Sequence, residues 1–288
     1  MRNSKTAKLQ RKGLLFVFIC IAILSLFNGC SKGLENKNIT LATTTSVNDS
    51  GLLDYLRPEL EKDTGLNVKI VAQGTGQAIK TGEAGDADVL FIHDKKSEEK
   101  FVSDGNGLKR IEVMYNYFVV VGPKDDPAGI LKEPADKINA ASAFKLIQDT
   151  KSNFVSRGDD SGTNKKELSI WKSIGATPSG DWYISAGKGM GQVLSMADEK
   201  KAYTLTDKAT YLSMRDKLEL QVVVNAAQDL FNQYTVIKVN PAKHKSINKD
   251  GADRFVKWIT SEKALKMINE YGKDKYGEGL FTVNYTGK

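Results

Sequence analysis

Residues 38–92 read NITLATTTSVNDSGLLDYLRPELEKDTGLNVKIVAQGTGQAIKTGEAGDADVLFI, and this stretch decides the fold. Three short apolar runs typical of strands begin at Asn38, Val68 and Asp88. Leucines with helical spacing follow the first run, and Gly74-Thr75-Gly76 turns the chain from the second run into another helical pattern. Strands that alternate with helices predict an α/β fold with largely parallel sheets.

Two long extended runs interrupt this alternation later in the chain. Residues 113–121, VMYNYFVVV, and Phe231–Val239 each lie next to a polar loop. We interpret them as two linkers between two lobes. Predicted lobe one then comprises residues 38–118 plus 236–288, and predicted lobe two comprises residues 119–235. A two-lobed protein with two linkers closes around a ligand by hinge motion.

The N-terminus has the features of a targeting segment. Residues 2–12 are basic, and the almost wholly apolar run at 14–27 is short for a membrane span but typical of a signal peptide. Gly29-Cys30 follows and resembles a bacterial lipobox. We predict that residues 1–29 are a lipoprotein signal peptide, that Cys30 is lipidated and that residues 30–37 are a tether. A plain signal peptide and an N-terminal anchor helix are the alternatives.

The charge balance argues against a nucleic-acid partner. The 288 residues carry a formal net charge of +7, and the pI is near 9.1. Five basic residues and no acidic ones lie in the predicted signal peptide, and the rest of the chain has 37 basic and 35 acidic residues. The processed chain is therefore almost balanced in charge, without the strongly basic surface that nucleic acids attract.

Few residues are available for metal binding or covalent catalysis. Cys20 and Cys30 both lie outside the predicted mature domain, and His93 and His244 are the only histidines. This composition excludes a cysteine nucleophile, disulfides and thiolate metal sites in the mature domain, and it disfavours zinc. The chain also lacks a nucleophile-elbow or Walker A sequence. We expect no enzyme, no catalytic residue, no metal and no cofactor, and we interpret His93 as structural.

The sharpest candidate site is SRGDDSGTN at residues 156–164, between a strand and a helix. The free amides of a helix N-terminus and its positive dipole end bind anions, and Arg157 adds a planar fork of donors. The simpler alternative is capping by Asp160 or Ser161, with Arg157 in a surface ion pair. Capping does not account for the arginine, the two glycines and the hydroxyls together, so the segment favours an anion site.

Three further turns precede predicted helices, at residues 43–46, 74–76 and 187–191. The first two belong to the same predicted lobe. They would face the 156–164 segment across one cleft at the carboxyl ends of parallel strands. For the glycine-rich turn at 187–191, a role in the site and close packing of a helix start are equal alternatives.

Five segments carry a family resemblance. In chain order they are TTTS at 43–46, GDADV at 85–89, VGPKDDPAG at 121–129, SRGDDSGT at 156–163 and AYTLTD at 202–207. Their order and spacing resemble the tungstate-binding component of bacterial ABC importers over nearly all of the chain after Lys37. More widely, the chain is similar to extracytoplasmic solute-binding proteins. One departure is Asn164, where the family pattern has histidine.

The resemblance implies a two-lobed periplasmic-binding-protein-like fold of the α/β class, with two linkers and mostly parallel sheets with flanking helices. It implies an extracytoplasmic lipoprotein, held at the membrane by its N-terminal lipid, that delivers a small oxyanion to an ABC importer permease. A monomer is expected. The residues that the resemblance places around the anion come from both lobes: Thr45, Ser46 and Thr75 from lobe one, and Ser156, Arg157, Ser161, Gly162 and Thr163 from lobe two.

Residue chemistry leaves the identity of the tetrahedral oxyanion open. Tungstate, molybdate and sulfate only accept hydrogen bonds, whereas phosphate keeps a proton and needs an acceptor. Asp159 stands where phosphate-binding proteins of similar sequence place that acceptor. If it faces the anion, it favours phosphate. If it pairs with Arg157 or a backbone amide, the site contains donors only.

The resemblance over the whole chain favours tungstate. A phosphate- or molybdate-binding protein of the same fold is the alternative within the class. From other classes, an extracytoplasmic hydrolase and a signalling or adhesion lipoprotein stay open.

Overall fold

The computed structural model describes residues 36–225 and 227–287. The predicted signal peptide, Cys30 and most of the predicted tether lie outside these residues. From residue 37 onward the described chain forms one compact unit. Within it, no helix has both the length and the apolar character that crossing a membrane requires.

Strands and helices alternate along the described chain. The strands are β1 (Asn38–Thr44), β2 (Asn67–Gln73), β3 (Val89–Ile92), β4 (Gly107–Gly122), β5 (Phe154–Ser156), β6 (Tyr183–Ser185), β7 (Thr204–Asp207), β8 (Gln221–Val224), β9 (Phe231–Val239) and β10 (Thr282–Val283). The helices are α1 (Thr45–Asp49), α2 (Leu52–Thr64), α3 (Thr75–Glu83), α4 (Lys95–Ser103), α5 (Ala140–Thr150), α6 (Gly162–Ser173), α7 (Met190–Glu199), α8 (Lys208–Met214), α9 (Lys249–Ile259), α10 (Glu262–Glu270) and α11 (Lys273–Tyr276). This order confirms the predicted α/β class.

In helix α2, the burial of leucine side chains outweighs the tendency of an internal proline to end the helix. Gly51 and Gly65 flank it in the left-handed conformation, with φ of +80° and +66°. Pro58 lies inside, and the sequence predicts that it kinks or shortens the helix. The helix is not shortened: it continues to Thr64, because buried leucines on both sides of the proline hold it against the core.

The central sheet has eight strands in the order β10-β4-β9-β3-β1-β2, with β7 and β8 paired to the far part of β4. The parallel ladders are confined to β1 with β2 and β3, and to β5 with β6 in a separate small sheet. The ladders of β4 and β9 are antiparallel. The sheet is therefore mixed, because the two long strands run against their neighbours, a direction that apolar patterning does not encode.

Strand β4 changes partners along its length. Up to Tyr117 it pairs with β9, from Phe118 onward it pairs with β7, and from Val120 onward it also pairs with β8. This change falls inside the run at 113–121 that the sequence predicts as a linker. The lobe boundaries themselves stay a prediction, and we keep the names predicted lobe one and predicted lobe two for the ranges given above.

The sheet brings distant turns to one edge. Strands β1 and β2 are parallel, and Thr44 is in register with Gln73 at their carboxyl ends. The turns into α1 and α3 therefore lie side by side. Strand β5 leads through residues 157–161 into α6, and β7 leads directly into α8. These four strand ends carry the candidate site.

Candidate functional site

Residues from both predicted lobes meet directly at this edge. Nη2 of Arg157 donates to the Thr45 hydroxyl oxygen at 3.1 Å, and the amide of Gly162 donates to the Thr75 hydroxyl oxygen at 3.1 Å. Thr45 begins α1, Thr75 begins α3 and Gly162 begins α6. The structure thus brings together the turns that the sequence predicts to face one cleft.

Arg157 is the cation of the site, and its side chain is only 2% exposed. Besides Thr45, its Nη2 donates to the Asp159 carboxylate. Its Nε is buried and has no hydrogen-bond partner among the described residues. Buried donors are nearly always paired in folded proteins. The guanidinium therefore presents an unsatisfied N–H within the site.

Asp159 uses both carboxylate oxygens internally. Oδ2 accepts from Arg157, and Oδ1 accepts from the Ser161 amide at 3.2 Å. Of the two orientations that the sequence leaves open, this geometry is the internally paired one. The carboxylate orients the guanidinium and is itself satisfied by donors.

The start of α6 supplies further donors. Ser161 is its N-cap, and the Ser161 hydroxyl oxygen accepts from the Asn164 amide at 3.1 Å. Thr163 lies in the first turn, where backbone amides have no intrahelical acceptor. Its hydroxyl is buried and has no partner among the described residues. Thr163 and Arg157 thus each hold an unsatisfied buried donor within six positions of each other.

Ser156, which the sequence analysis places around the anion, has its hydroxyl bonded within the protein. Its hydroxyl donates to Glu167 Oε2 at 2.6 Å, and its oxygen accepts from the Asn164 amide group at 3.3 Å. The Ser156 hydroxyl proton therefore points at a buried carboxylate. These two bonds connect Ser156 to residues of α6, and its contact with the anion stays a prediction.

Glu167 is the residue that this loop depends on and that sequence reasoning missed. Its carboxylate is 2% exposed and also accepts from Trp171 Nε1 at 3.0 Å and the Tyr183 hydroxyl at 2.7 Å. Burial raises its pKa, and the hydrogen bonds from Ser156 and Tyr183 oppose this shift. The detectable signal is an acidic residue at helical spacing between Thr163 and Trp171, on the buried face of α6.

Ser46 and His93 form a second buried network in predicted lobe one. The Ser46 hydroxyl oxygen lies 3.0 Å from His93 Nε2 and 3.0 Å from the Thr44 hydroxyl oxygen. Burial and the nearby Arg157 charge lower the pKa of His93 to about 4, so the imidazole is neutral at pH 7. A neutral imidazole this weakly basic is a poor general base for Ser46, so the pair does not support the hydrolase alternative.

The end of β7 adds a buried acid near the arginine. Asp207 caps α8 by accepting from the Thr210 amide at 2.9 Å, and the Thr210 hydroxyl also contacts the Ser46 carbonyl at 3.4 Å. Burial raises the pKa of Asp207 to about 6, while Arg157 acts in the opposite direction. The segment AYTLTD, quoted above only for its resemblance, therefore borders the site.

The glycine-rich turn at 187–191 packs against α1. Gly189 approaches the Thr45 side chain, and the Gly191 amide donates to the Asp49 carboxylate. A Cβ atom on Gly189 would lie 3.9 Å from the Thr45 side chain, an ordinary van der Waals distance, so the turn contacts α1 without packing that requires glycine at this position. The contact places α7 beside Thr45.

Two lysines of predicted lobe two reach predicted lobe one at the outer rim. Lys165 Nζ lies 3.0 Å from the Ser97 hydroxyl oxygen and 3.2 Å from Asp94 Oδ2. Lys208 Nζ lies 2.7 Å from Glu278 Oε2. The two predicted lobes are therefore in contact around the site. Among residues 36–225 and 227–287, no group of three His, Cys, Asp or Glu side chains could hold a metal ion.

Comparisons with known proteins agree with this architecture. The PBP superfamily domain matches residues 32–263. The tungstate-binding protein TupA of Peptoclostridium acidaminophilum is 52% identical over 284 residues, which is 95% of this chain and 99% of that protein.

Solved structures give the same picture. The tungstate ABC transporter structure from Geobacter sulfurreducens has a TM-score of 0.74 at 48% identity, over 82% of this chain and 99% of that chain. The tungstate-binding protein TupA from Desulfovibrio alaskensis has a TM-score of 0.70 at 42% identity, over 86% and 99%. The chain belongs to the PBP superfamily and, within it, to the family of the tungstate-binding proteins TupA.

Proposed function

We propose that this chain is an extracytoplasmic solute-binding protein that captures a tetrahedral oxyanion, tungstate, for an ABC importer. The observation that carries the proposal is a pair of unsatisfied buried donors, Arg157 Nε in the loop before α6 and the Thr163 hydroxyl in its first turn. A fully deprotonated oxyanion accepts hydrogen bonds at every oxygen and supplies what both donors lack. The dipole of the twelve-residue helix α6 adds to the attraction.

Asp159 supports a bare dianion over phosphate. Both of its oxygens accept from the protein, one from Arg157 and one from the Ser161 amide, which is the arrangement expected of a site that offers donors to the ligand. Tungstate and molybdate remain compatible with such a site. The names of the relatives favour tungstate between these two.

The site acts by binding, with no catalytic step and no metal. Its contribution is to replace the water around the anion with fixed donors from both predicted lobes. Arg157 and Thr163 then contact the anion, while Thr45, Thr75 and Gly162 join the two sides. Ser161 holds the start of α6, and Ser46 holds the start of α1.

The anchor and the partner follow from the family and from the N-terminal sequence. Cys30 would carry the lipid and keep the monomeric protein at the outer face of the cell membrane, beside the importer permease that accepts the anion. This part of the proposal rests on residues outside the described range.

Calorimetry on the detergent-solubilised full chain tests the proposal. Tungstate, molybdate, sulfate and phosphate are titrated separately, and tungstate is expected to bind most tightly with one site per chain. Tungstate should also raise the melting temperature by mass action, and EDTA should leave that rise intact. Tighter binding of phosphate would assign the protein to the phosphate alternative, and a tungstate effect lost with EDTA would indicate a bridging metal.

A further inference from the structure

We propose that His93 is a positioning residue for anion binding. It holds Ser46 on one side, and the start of α6 packs against it on the other. The proposal rests on the oxyanion-binding function proposed above and adds a residue that does not itself contact the anion.

The first contact is with the turn into α1. The Ser46 hydroxyl oxygen lies 3.0 Å from His93 Nε2. The same Ser46 oxygen lies 3.0 Å from the Thr44 hydroxyl oxygen, which accepts from the Val47 amide at 3.4 Å. These contacts connect the imidazole ring to the first residues of α1. Thr45, next to Ser46, is the residue whose hydroxyl oxygen accepts a hydrogen bond from the Arg157 guanidinium.

The second contact is with the start of α6. A Cβ atom on Gly162 would overlap the His93 carbonyl oxygen and lie 2.7 Å from His93 Cε1. Thr75 links the same atoms: its hydroxyl lies 3.3 Å from the His93 carbonyl oxygen and accepts from the Gly162 amide. The start of α6, in predicted lobe two, therefore packs directly against His93. At position 162 only glycine fits this contact.

The third contact is with the two long strands. The imidazole centroid lies 5.8 Å from the ring of Phe118 in β4 and 5.0 Å from that of Tyr234 in β9. Phe118 is the residue at which β4 changes partners. One side chain thus contacts the turn into α1, the start of α6 and both strands that lead toward the other predicted lobe.

The charges around the ring agree with this role. Arg157 faces it from predicted lobe two and Asp94 follows it in the chain, while Asn232 and Tyr234 of β9 are uncharged neighbours. A neutral ring lets α6 and Arg157 approach without repulsion. The structural role that the sequence assigns to His93 therefore extends to bringing the two halves of the site together.

Three variants of the detergent-solubilised full chain test the proposal with tungstate as the probe. His93→Leu removes both ring nitrogens, whereas His93→Gln restores an amide near the position of Nε2. Gly162→Ala places a methyl group at the contact between α6 and His93. His244→Gln is the matched control at the other histidine. Affinity is measured by calorimetry, dissociation by stopped flow, and folding by the melting temperature without anion.

We expect His93→Leu to raise the Kd for tungstate about tenfold to a hundredfold, mostly through faster dissociation. His93→Gln should return the Kd to within about threefold of the unmodified chain, and His244→Gln should leave it unchanged. Gly162→Ala should raise the Kd by at least about tenfold. This last variant keeps the proposal testable if His93→Leu does not fold.

The outcomes separate the two proposals. If the unmodified chain binds none of the four oxyanions, the proposed function fails and the role of His93 fails with it. If the unmodified chain binds tungstate and Gly162→Ala binds within threefold of it, the His93 proposal alone is overturned. Equal weakness of folded His93→Gln and His93→Leu also overturns it, because rescue by the amide is absent.

Discussion

The Gly162 amide donates to the Thr75 hydroxyl oxygen at 3.1 Å, although 87 positions separate the two residues. Thr75 is the first residue of α3, and Gly162 is the first residue of α6. Two positive helix ends therefore converge on one contact. Such ends repel each other unless negative charge lies between them. Asp159 supplies part of that charge, and a bound dianion would supply more.

Arg157 is expected to provide most of the charge-assisted binding. Arg157→Ala should weaken tungstate binding by roughly 2–4 kcal/mol, because a buried, hydrogen-bonded charge is lost from the site. Arg157→Lys keeps the charge but loses the planar fork, so it should recover only part of the affinity. Calorimetry measures both variants.

Arg57 offers a matched control, since it is an exposed arginine in an ion pair within α2. Arg57→Ala should bind tungstate as the unmodified chain does. Unchanged affinity for every oxyanion in Arg157→Ala would show that residues 156–163 are only a capped helix start.

Substitutions of Thr163 and Ser156 should have opposite effects on stability and on tungstate affinity. Thr163→Val removes a hydroxyl that has no partner in the protein, so the free energy of unfolding should stay level or rise, while tungstate affinity falls about tenfold. Ser156→Ala removes a donor from buried Glu167. It should lower the free energy of unfolding by about 1–3 kcal/mol and leave tungstate affinity within about threefold.

Urea unfolding and calorimetry on the same samples separate these effects. Ser169→Ala controls for loss of an exposed hydroxyl, because Ser169 bonds only to a backbone carbonyl of its own helix. A large loss of tungstate affinity in Ser156→Ala would mean that the Ser156 hydroxyl turns to the anion on binding.

Asp159→Asn distinguishes the two classes of anion. Because the carboxylate is paired with Arg157 and Ser161, the amide can keep one of these contacts. Tungstate affinity should therefore change little. A chain that binds phosphate and loses this binding in Asp159→Asn would instead place the carboxylate against the ligand as an acceptor. Competition titrations with both anions provide the measurement.

Two buried groups should give stability opposite dependences on pH. The pKa of His93 falls from 6.5 to about 4 on folding, so its contribution to stability increases as the pH rises through this range. The pKa of Asp207 rises from 3.8 to about 6, so its contribution decreases over nearly the same range. The two effects largely cancel in the unmodified chain.

Single substitutions should reveal each slope. For each variant, the quantity to follow from pH 4 to 6.5 is its free energy of unfolding minus that of the unmodified chain. This difference should decrease with pH for His93→Gln. It should increase with pH for Asp207→Asn. Each slope is at most about 1.4 kcal/mol per pH unit. Differences that are flat for both variants would mean that neither group changes its pKa on folding.

The N-terminal prediction is tested by fractionation. Cys30→Ser should move the protein from the membrane fraction to the soluble fraction, because the thiol that would accept the lipid is gone. Cys20→Ser, inside the apolar run, is the control and should leave the protein with the membrane. Membrane association of Cys30→Ser with residues 1–29 retained would support the anchor-helix alternative.

The strand-to-helix turns of the site could be predicted from sequence because each is a local pattern. Glycine and hydroxyl residues after an apolar run mark the turn, and parallel pairing of β1 with β2 places two such turns side by side. The antiparallel pairing of β4 with β9 could not be predicted, because it joins segments more than 100 positions apart. Apolar patterning identifies a strand but does not specify its partner.

Within the site, the sequence did not allow the direction of each side chain to be predicted. Ser156 and Thr163 both carry hydroxyls beside the same turn, yet one is bonded to Glu167 and the other has no partner. The difference depends on the buried face of α6, which is visible only once the helix packs. His93 illustrates the same limit, since its contacts come from four separate elements.

The position of β3 has a consequence for how the protein is made. Residues Val89–Ile92 pair with β1 on one edge and with residues 235–238 of β9 on the other. During synthesis β1 precedes β3, whereas the paired part of β9 emerges more than 140 residues after β3. At about 5–20 residues per second, the edge stays open for roughly 7–30 s. An unpaired edge of valine, leucine, phenylalanine and isoleucine is a template for pairing with other chains. The nascent protein is therefore most prone to aggregation over the middle of its synthesis, and any chain truncated before Thr235 retains that exposed edge permanently.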